Sequence, residues 1–387
     1  MNKHGWTYKK LGEVATIISG STPKTNIPEY WDGAHFWVTP AELGKSVYIG
    51  ETERTITDDA VNNTNLTLLP VGTVLLSSRA PIGKIAITTA PMYCNQGFKN
   101  IVCSEELNNK FTYYFIDHIV PYLQSLGRGA TFKEISKTIV ENVKLPVPSM
   151  EEQEAIVDEL DEINETIELL KQQVSDLDKL EQSTFYAMFG DPVANEKGWE
   201  VKKLGDLAII GTGATPSRTK EDIYYNGNIP WVKTTEVHYE DIEDTEEKIT
   251  AIAVEETNCK IYPEGTILMA MYGQGKTRGQ IAKLKIRATT NQACAAIDLS
   301  QSSCEIDFIY CHLKLMYEHI RSMARGGNQA NLNLSLVNSI LIINPPLTLQ
   351  QEFAAKVEAI ESAKVELNAQ VAEMQTLLVS RMDYYFD

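Results

Sequence analysis

Two short segments carry the side chains best suited to reading a nucleic acid. Arg128-Gly-Ala-Thr-Phe-Lys133 and Arg325-Gly-Gly-Asn-Gln-Ala-Asn331 each join an arginine to flexible glycine backbone and short polar side chains. A guanidinium can be bidentate to guanine, and an Asn or Gln amide to adenine. The segments differ in their polar residues, Thr131 and Lys133 against Asn328, Gln329 and Asn331, as two readers of different sequences would. A capped turn leading into the closing segment is the plainer alternative. Arg79 and Lys84 in one loop, and Lys276 and Arg278 in another, offer phosphate or base-edge contacts, against the alternative of a solvated hairpin tip. Lys24, Lys99, Lys220 and Lys233 would add phosphate contacts.

Other motifs point to chemistry that their surroundings do not support. Ala270-Met-Tyr-Gly-Gln-Gly-Lys276-Thr277 fits a loose phosphate-loop pattern, which requires a following helix to meet the phosphates. Strand-like Gln280 to Ile286 follows instead. Asn344-Pro-Pro-Leu347 is similar to the N-P-P-aromatic motif of amino-methyltransferases, but Leu replaces the stacking aromatic and no glycine-rich cofactor loop stands upstream. Cys311-His312 has no second pair to complete a metal site. No catalytic or metal-ligating set emerges, and no cofactor is expected on this chain.

The 387 residues allow two domains with connecting elements. The polar opening MNKHGWTYKK is unlike a secretory signal, no apolar run approaches a membrane span, and six unpaired-looking cysteines suit a reducing cytoplasm. The net charge of −17 argues against a nucleic-acid partner if it is evenly spread, but residues 149–188 carry −10 and residues 350–387 carry −4, so only −3 lies elsewhere. An acidic helix face that never approaches the ligand leaves DNA binding open.

Those acidic stretches are the elements that must position the rest. From Glu151 to Met188 the apolar residues Ile156, Leu160, Ile163, Ile167, Leu170, Val174 and Leu177 alternate four and three apart, the seam of a coiled coil. So narrow a seam needs a partner helix, and one follows with Phe353, Val357, Ile360, Lys364, Leu367, Val371, Met374 and Leu378. Lys364 in that seam would fix register or simply snorkel.

Self-comparison reveals a duplication. Trp6-Thr-Tyr-Lys-Lys-Leu-Gly-Glu-Val-Ala15 matches Trp199-Glu-Val-Lys-Lys-Leu-Gly-Asp-Leu-Ala208, and Gly20, Thr22 and Pro23 match Gly213, Thr215 and Pro216. Tyr30 to Val38 pairs with Tyr224 to Val232, Gly83-Lys-Ile-Ala86 with Gly279-Gln-Ile-Ala282, and Asn95-Gln96 with Asn291-Gln292. Gly129 to Pro148 pairs with Gly327 to Pro346, leading into Gln153-Glu154 and Gln351-Glu352. Within each half, short strands at Phe36–Val38, Val71–Ser77, Ile85–Thr89 and Ile101–Cys103 and a helix over Lys110–Leu126, with its counterpart over Ile306–Met323, predict mixed α and β structure. Pro121 falls inside that helix or breaks it. Trp6, Trp199, Trp37 and Trp231 read as core.

Together these motifs, with Tyr186-Ala-Met-Phe-Gly-Asp-Pro192 closing the first long helix, resemble the specificity subunits of type I restriction–modification systems. The resemblance covers essentially the whole chain. It implies an α+β protein of two tandem target-recognition domains, residues 1–149 and 191–347, with spacer helices at 150–190 and 348–387 pairing as an antiparallel coiled coil. Each domain would read half of a bipartite double-stranded DNA sequence. The helices would dock two methyltransferase subunits, which carry S-adenosylmethionine, and restriction subunits would join them; the chain itself would be non-catalytic. A two-domain scaffold that binds protein without reading DNA is the alternative.

Overall fold

A computed structural model describes residues 5–129, 133–273, 275–324 and 331–387. Contacts divide the chain into two units, residues 1–171 with 369–387 and residues 172–368, so the boundary cuts each long helix midway. Each unit therefore comprises one globular half, part of the helix that follows it and part of the other long helix.

In the first unit a five-stranded sheet runs in the order Ala15–Ser19, Lys99–Cys103, Val74–Ser78, Ile82–Thr88, Tyr48–Ile49. Beside it lies a three-stranded sheet of Thr55–Ile56, Trp31–Val38 and Tyr93–Cys94, the last two parallel. The second unit repeats this plan with Ile209–Thr212, Cys294–Asp298, Ile267–Ala270 and Ile281–Lys283, and with Glu247–Ile249, Tyr225–Val232 and Thr289–Thr290. An antiparallel pair closes each globular half: Thr7–Lys10 with Lys144–Val147, and Val201–Lys203 with Leu341–Ile343. The opening motif of each half thus folds back on the segment that enters the long helix.

The recurring Y-[WY]-x-G block makes a bulge. Asp32 and Asn226 have φ of 60° and 59°, a region that short polar residues tolerate. A Cβ on the next residue would lie 2.4 Å from Ile56 O at Gly33 and 2.2 Å from Ile249 O at Gly227, so the close crossing requires glycine. Trp37 and Trp231 are buried, and their indoles donate to Ser21 O at 3.2 Å and Ala214 O at 3.0 Å. Trp6 and Trp199 are only half-buried, each near the start of its globular half.

The expected single helix over Lys110–Leu126 is two, Asn109–His118 and Val120–Leu126, separated at Ile119. Its counterpart is likewise split into Ile306–Leu315 and Tyr317–Met323, with Met316 in nearly the same conformation. Proline follows only the first break, at Pro121. The break is therefore a property of the fold, and Pro121 fits the first turn of the helix it opens.

The long helices run Met150–Phe189 and Leu347–Phe386. Ile156, Leu160, Ile163, Ile167 and Leu170 are buried, as are Phe353, Val357 and Ile360; Val174, Leu177, Leu367, Val371, Met374 and Leu378 are half-buried. In the second unit Phe353 packs against Phe185 and Phe189 while Lys364 reaches Asp178 at 2.8 Å. Positions rise along one helix as they fall along the other, so the pair is antiparallel. In the first unit Arg381 Nη2 donates to Glu159 at 2.9 Å and Tyr385 bonds the same carboxylate. Lys364 also meets Glu361 at 2.9 Å, so its charge is held within the seam by acids of both helices.

A buried glutamine fastens each globular half to its helix. Gln153, fully buried, accepts from Asn108 N at 2.8 Å and donates to Glu106 O at 2.9 Å and Pro148 O at 3.0 Å. Gln350 accepts from Glu305 N at 3.1 Å and donates to Pro345 O at 2.9 Å. The structural counterpart of Gln153 is thus Gln350, one residue before the Gln351 that sequence comparison selects. No helix among the described residues is long and apolar enough to cross a membrane.

Candidate nucleic-acid interface

In both units one strand end gathers three loops. Ser78 N donates to Gly97 O at 2.7 Å, and Ser78 O accepts from Ile135 N at 3.0 Å. Met271 N donates to Ala293 O at 2.8 Å, and Met271 O accepts from Leu332 N at 3.1 Å. Backbone bonds therefore join the Asn-Gln turn, the loop bearing Arg79 or Lys276, and the segment that follows Arg128 or Arg325. The convergence brings Arg79, Lys99, Arg128 and Lys133 of the first unit, and Lys276 and Arg278 of the second, to one end of the larger sheet; Lys84, in the strand Ile82–Thr88, lines a groove with Tyr113 and Asp117.

In the first unit Glu134 stands among Arg79, Lys99 and Arg128. Arg128 and Glu134 bond backbone to backbone in both directions, at 3.1 and 2.9 Å. Arg79 Nη1 lies 4.0 Å from one Glu134 oxygen and Lys99 Nζ 3.6 Å from the other. Arg128 and Lys133 are exposed, and Arg79 and Lys84 half-buried. Lys99 is only 8% exposed; its ammonium donates to Ser78 Oγ at 3.4 Å and Phe98 O at 3.3 Å. These partners offset the cost of removing a cation from water, so Lys99 supports the loops from beneath, unlike the exposed contact expected from sequence.

In the second unit Lys276 is exposed at the loop tip, Arg278 is half-buried and Asn331 exposed. Tyr317 donates to Lys276 O at 2.5 Å and Arg321 Nη2 to Gly275 O at 2.8 Å. The first unit does the same with Gln124 Nε2, which donates to Ile82 O at 3.0 Å. These loop anchors, Gln124 and Arg321, were missed in sequence because their types differ; only their matching positions in the duplicated helices could have revealed them. Thr131, Arg325, Asn328 and Gln329 lie outside the described residues.

The remaining cations belong to the smaller sheet and its approaches. Lys24 is exposed, with its carbonyl taken by the Trp31 indole at 3.4 Å. Lys220 bonds Tyr224 at 2.9 Å and pairs with Glu256 at 3.4 Å; Lys233 meets Glu246 at 2.6 Å and Glu247 at 3.2 Å. These hydrogen bonds raise both ammonium pKa values. Surface pairs of this kind contribute little to stability. Two further arginines escaped the sequence reading: Arg54 stands 3.6 Å over the Trp31 ring, and Arg218 stands 4.0 Å over Tyr225 while paired with Glu247 at 2.6 Å.

The discounted motifs have structural roles. The phosphate-loop pattern passes through Gly273 and Gly275, at φ of 149° and 64°, into the strand Ile281–Lys283, with no helix to receive phosphates. Asn344 N donates to Glu200 O at 2.7 Å in the link to the C-terminal helix. His312 is wholly buried and its Nε2 accepts from Ile343 N at 3.1 Å; burial pushes its pKa down to about 3 and keeps it neutral. Burial also raises the Cys311 thiol well above its ordinary value.

The model of the type I restriction modification DNA specificity domain matches the chain twice, over residues 3–179 and 196–374. The chain belongs to this family. It is 32% identical over 373 residues to the type I restriction enzyme MjaIX specificity subunit of Methanocaldococcus jannaschii, covering 91% of this chain and 86% of that protein. The EcoR124I/EcoR124II specificity subunit of Escherichia coli is 27% identical over 164 residues, 41% of this chain and 40% of that one. The fold is shared with the crystal structure of a type I restriction–modification S subunit from M. genitalium, at TM-score 0.57 and 17% identity over 100% of this chain and 97% of that one. It is also shared with a chain from a structural study of complex assembly and conformational transition of the type I system, at TM-score 0.65 and 18% identity over 98% of this chain and 97% of that one.

Proposed function

We propose that this chain is the non-catalytic DNA-specificity subunit of a type I restriction–modification complex. Residues 1–149 and 191–347 are the two reading domains, and residues 150–190 and 348–387 the spacer helices. The observation that carries this reading is the duplicated convergence of three loops, with exposed cations, at one strand end in each unit. Arg79, Arg128, Thr131 and Lys133 serve one half-site, with Lys84 an outlying phosphate contact; Lys276, Arg278, Arg325, Asn328, Gln329 and Asn331 serve the other. Lys24, Lys220 and Lys233 are secondary phosphate contacts. The acidic helices, with apolar surface left outside their seam at Leu169 and Val365, dock methyltransferase subunits that hold S-adenosylmethionine, with restriction subunits completing the assembly.

Binding measured against salt tests this directly. Each phosphate contact releases counterions, so affinity for duplex DNA falls linearly on a log–log plot with a slope near −0.9 per contact. A steep slope is expected. Flat, salt-independent binding would favour the protein-binding scaffold.

A further inference from the structure

Asn95-Gln96 and Asn291-Gln292 recur in register although neither glutamine belongs to the core. The asparagine builds the turn: Asn95 Oδ1 accepts from Gly97 N at 2.8 Å, and Asn291 Oδ1 from Ala293 N at 3.0 Å. Its own N–H donates to the larger strand of the small sheet, Asn95 to Val38 O at 3.2 Å and Asn291 to Val232 O at 3.0 Å. The glutamine that follows is exposed in both units. One neighbour holds it, for Thr22 Oγ1 donates to Gln96 Oε1 and Thr215 Oγ1 to Gln292 Oε1.

The recurring G-x-T-P motif exists to make that bond. A Cβ on Gly20 would fall 1.9 Å from Asn95 O, and one on Gly213 would fall 1.6 Å from Thr290 O. Only glycine lets this segment lie so close to the turn, and the threonine two residues on then reaches the glutamine. Four residue types are thus held in common between the halves, and together they orient one exposed amide.

The oriented amide has a defined preference. With Oε1 engaged by the threonine, Nε2 presents two donors, and no acceptor among the described residues takes them. Two free donors suit an accepting ligand; Oε1 keeps a second lone pair, so what separates phosphate from adenine is the duplication of the element. The element is the same in both units while the neighbouring loops differ, so its ligand is common to both half-sites. The non-bridging oxygens of the phosphodiester backbone satisfy both conditions. The turn also sits at the base of the cationic loops, since Gly97 O and Ala293 O accept from Ser78 and Met271.

We propose that Thr22–Gln96 and Thr215–Gln292 are a duplicated clamp on the DNA phosphate backbone, seating each unit on its half-site without reading sequence. This rests on the DNA-recognition reading above. The test compares the full chain with Gln96→Ala, Gln292→Ala and the double variant on a cognate duplex and on one with both half-sites scrambled. Each single change is expected to weaken both duplexes by about tenfold, as for a lost hydrogen bond to a charged group, and the double by about a hundredfold. The cognate-to-scrambled ratio stays constant, and phosphate-ethylation interference loses one sensitive position per half-site. Gln96→Glu, with an unchanged melting curve, is expected to weaken binding more than Gln96→Ala. A change confined to that ratio would assign the glutamines to base reading and overturn the clamp, as would variants that bind like wild type. If the wild-type chain shows no salt-dependent DNA binding, the recognition reading itself falls and the clamp with it.

Discussion

Replacing Gln153 with leucine tests whether the buried glutamines fasten each globular half to its helix. The side chain is fully buried and makes three hydrogen bonds to backbone groups: Asn108 N at 2.8 Å, Glu106 O at 2.9 Å and Pro148 O at 3.0 Å. Leucine fills nearly the same space but leaves the Asn108 N–H without an acceptor and removes one donor from each carbonyl. An orphaned buried group costs about 1–3 kcal/mol, and the apolar side chain recovers only part of that. We expect a loss of about 2–4 kcal/mol, a large share of the roughly 5–15 kcal/mol that stabilises a domain. Urea unfolding followed by circular dichroism should show the transition of the first unit moving to lower denaturant with its slope unchanged. Gln350→Leu breaks two such bonds, to Glu305 N and Pro345 O, and should cost less, in the second unit. A Gln153→Leu shift worth under about 0.5 kcal/mol, within the ordinary range of surface changes, would refute this role.

Four other outcomes follow. Burial depresses the His312 pKa to about 3, so between pH 6.5 and 3 the unfolded chain binds the extra proton; stability of the second unit should fall on acidification by up to about 1.4 kcal/mol per pH unit, and His312→Gln should flatten that slope in melts taken across pH. The carboxyl of Glu159 is held below its usual value chiefly by its hydrogen bond to Arg381, with Tyr385 adding to it; the stability it contributes is present above the unfolded carboxylate pKa and lost as pH falls through the lowered folded value, and Arg381→Met should reduce this dependence in the same melts. Lys133→Ala should reduce the salt slope of DNA binding by about one, while Lys99→Met should lower thermal stability and leave the slope intact. Removing seven residues from both long helices shortens them by about 10 Å and should shorten the preferred gap between half-sites by about 3 base pairs at roughly 3.4 Å each; an unchanged gap in selected sequences would exclude a helical ruler.

Much of this architecture was readable because the chain states it twice. The Trp6 and Trp199 motifs, the Y-[WY]-x-G block and the Asn-Gln pairs align in sequence because each meets a backbone requirement, whether a bulge, a close crossing or a tight turn. The seam from Ile156 to Leu177 was readable because burial along an antiparallel helix pair imposes apolar spacing. What escaped depends on tertiary placement. Ser78 and Met271 gather the three loops through main-chain atoms, to which side-chain type is indifferent. Gln124 and Arg321 perform one task with different chemistry. Lys99 reads as a surface cation, yet Ser78, Phe98 and Glu134 supply partners that no local pattern displays. The helix break at Ile119 suggests Pro121 as its cause, and only the proline-free break at Met316 shows that the fold requires it.

The central claim is that this chain chooses a bipartite DNA sequence for a partner enzyme. A genome-wide map of methylated adenines, made in cells expressing the cognate methyltransferase subunit with and without this chain, tests it most directly. The account predicts a split motif with a fixed gap, present only when the chain is expressed, whose halves exchange independently when residues 1–149 or 191–347 are replaced by those of a relative. A soluble complex that adds no methylation, or one that methylates a single uninterrupted motif, would contradict it.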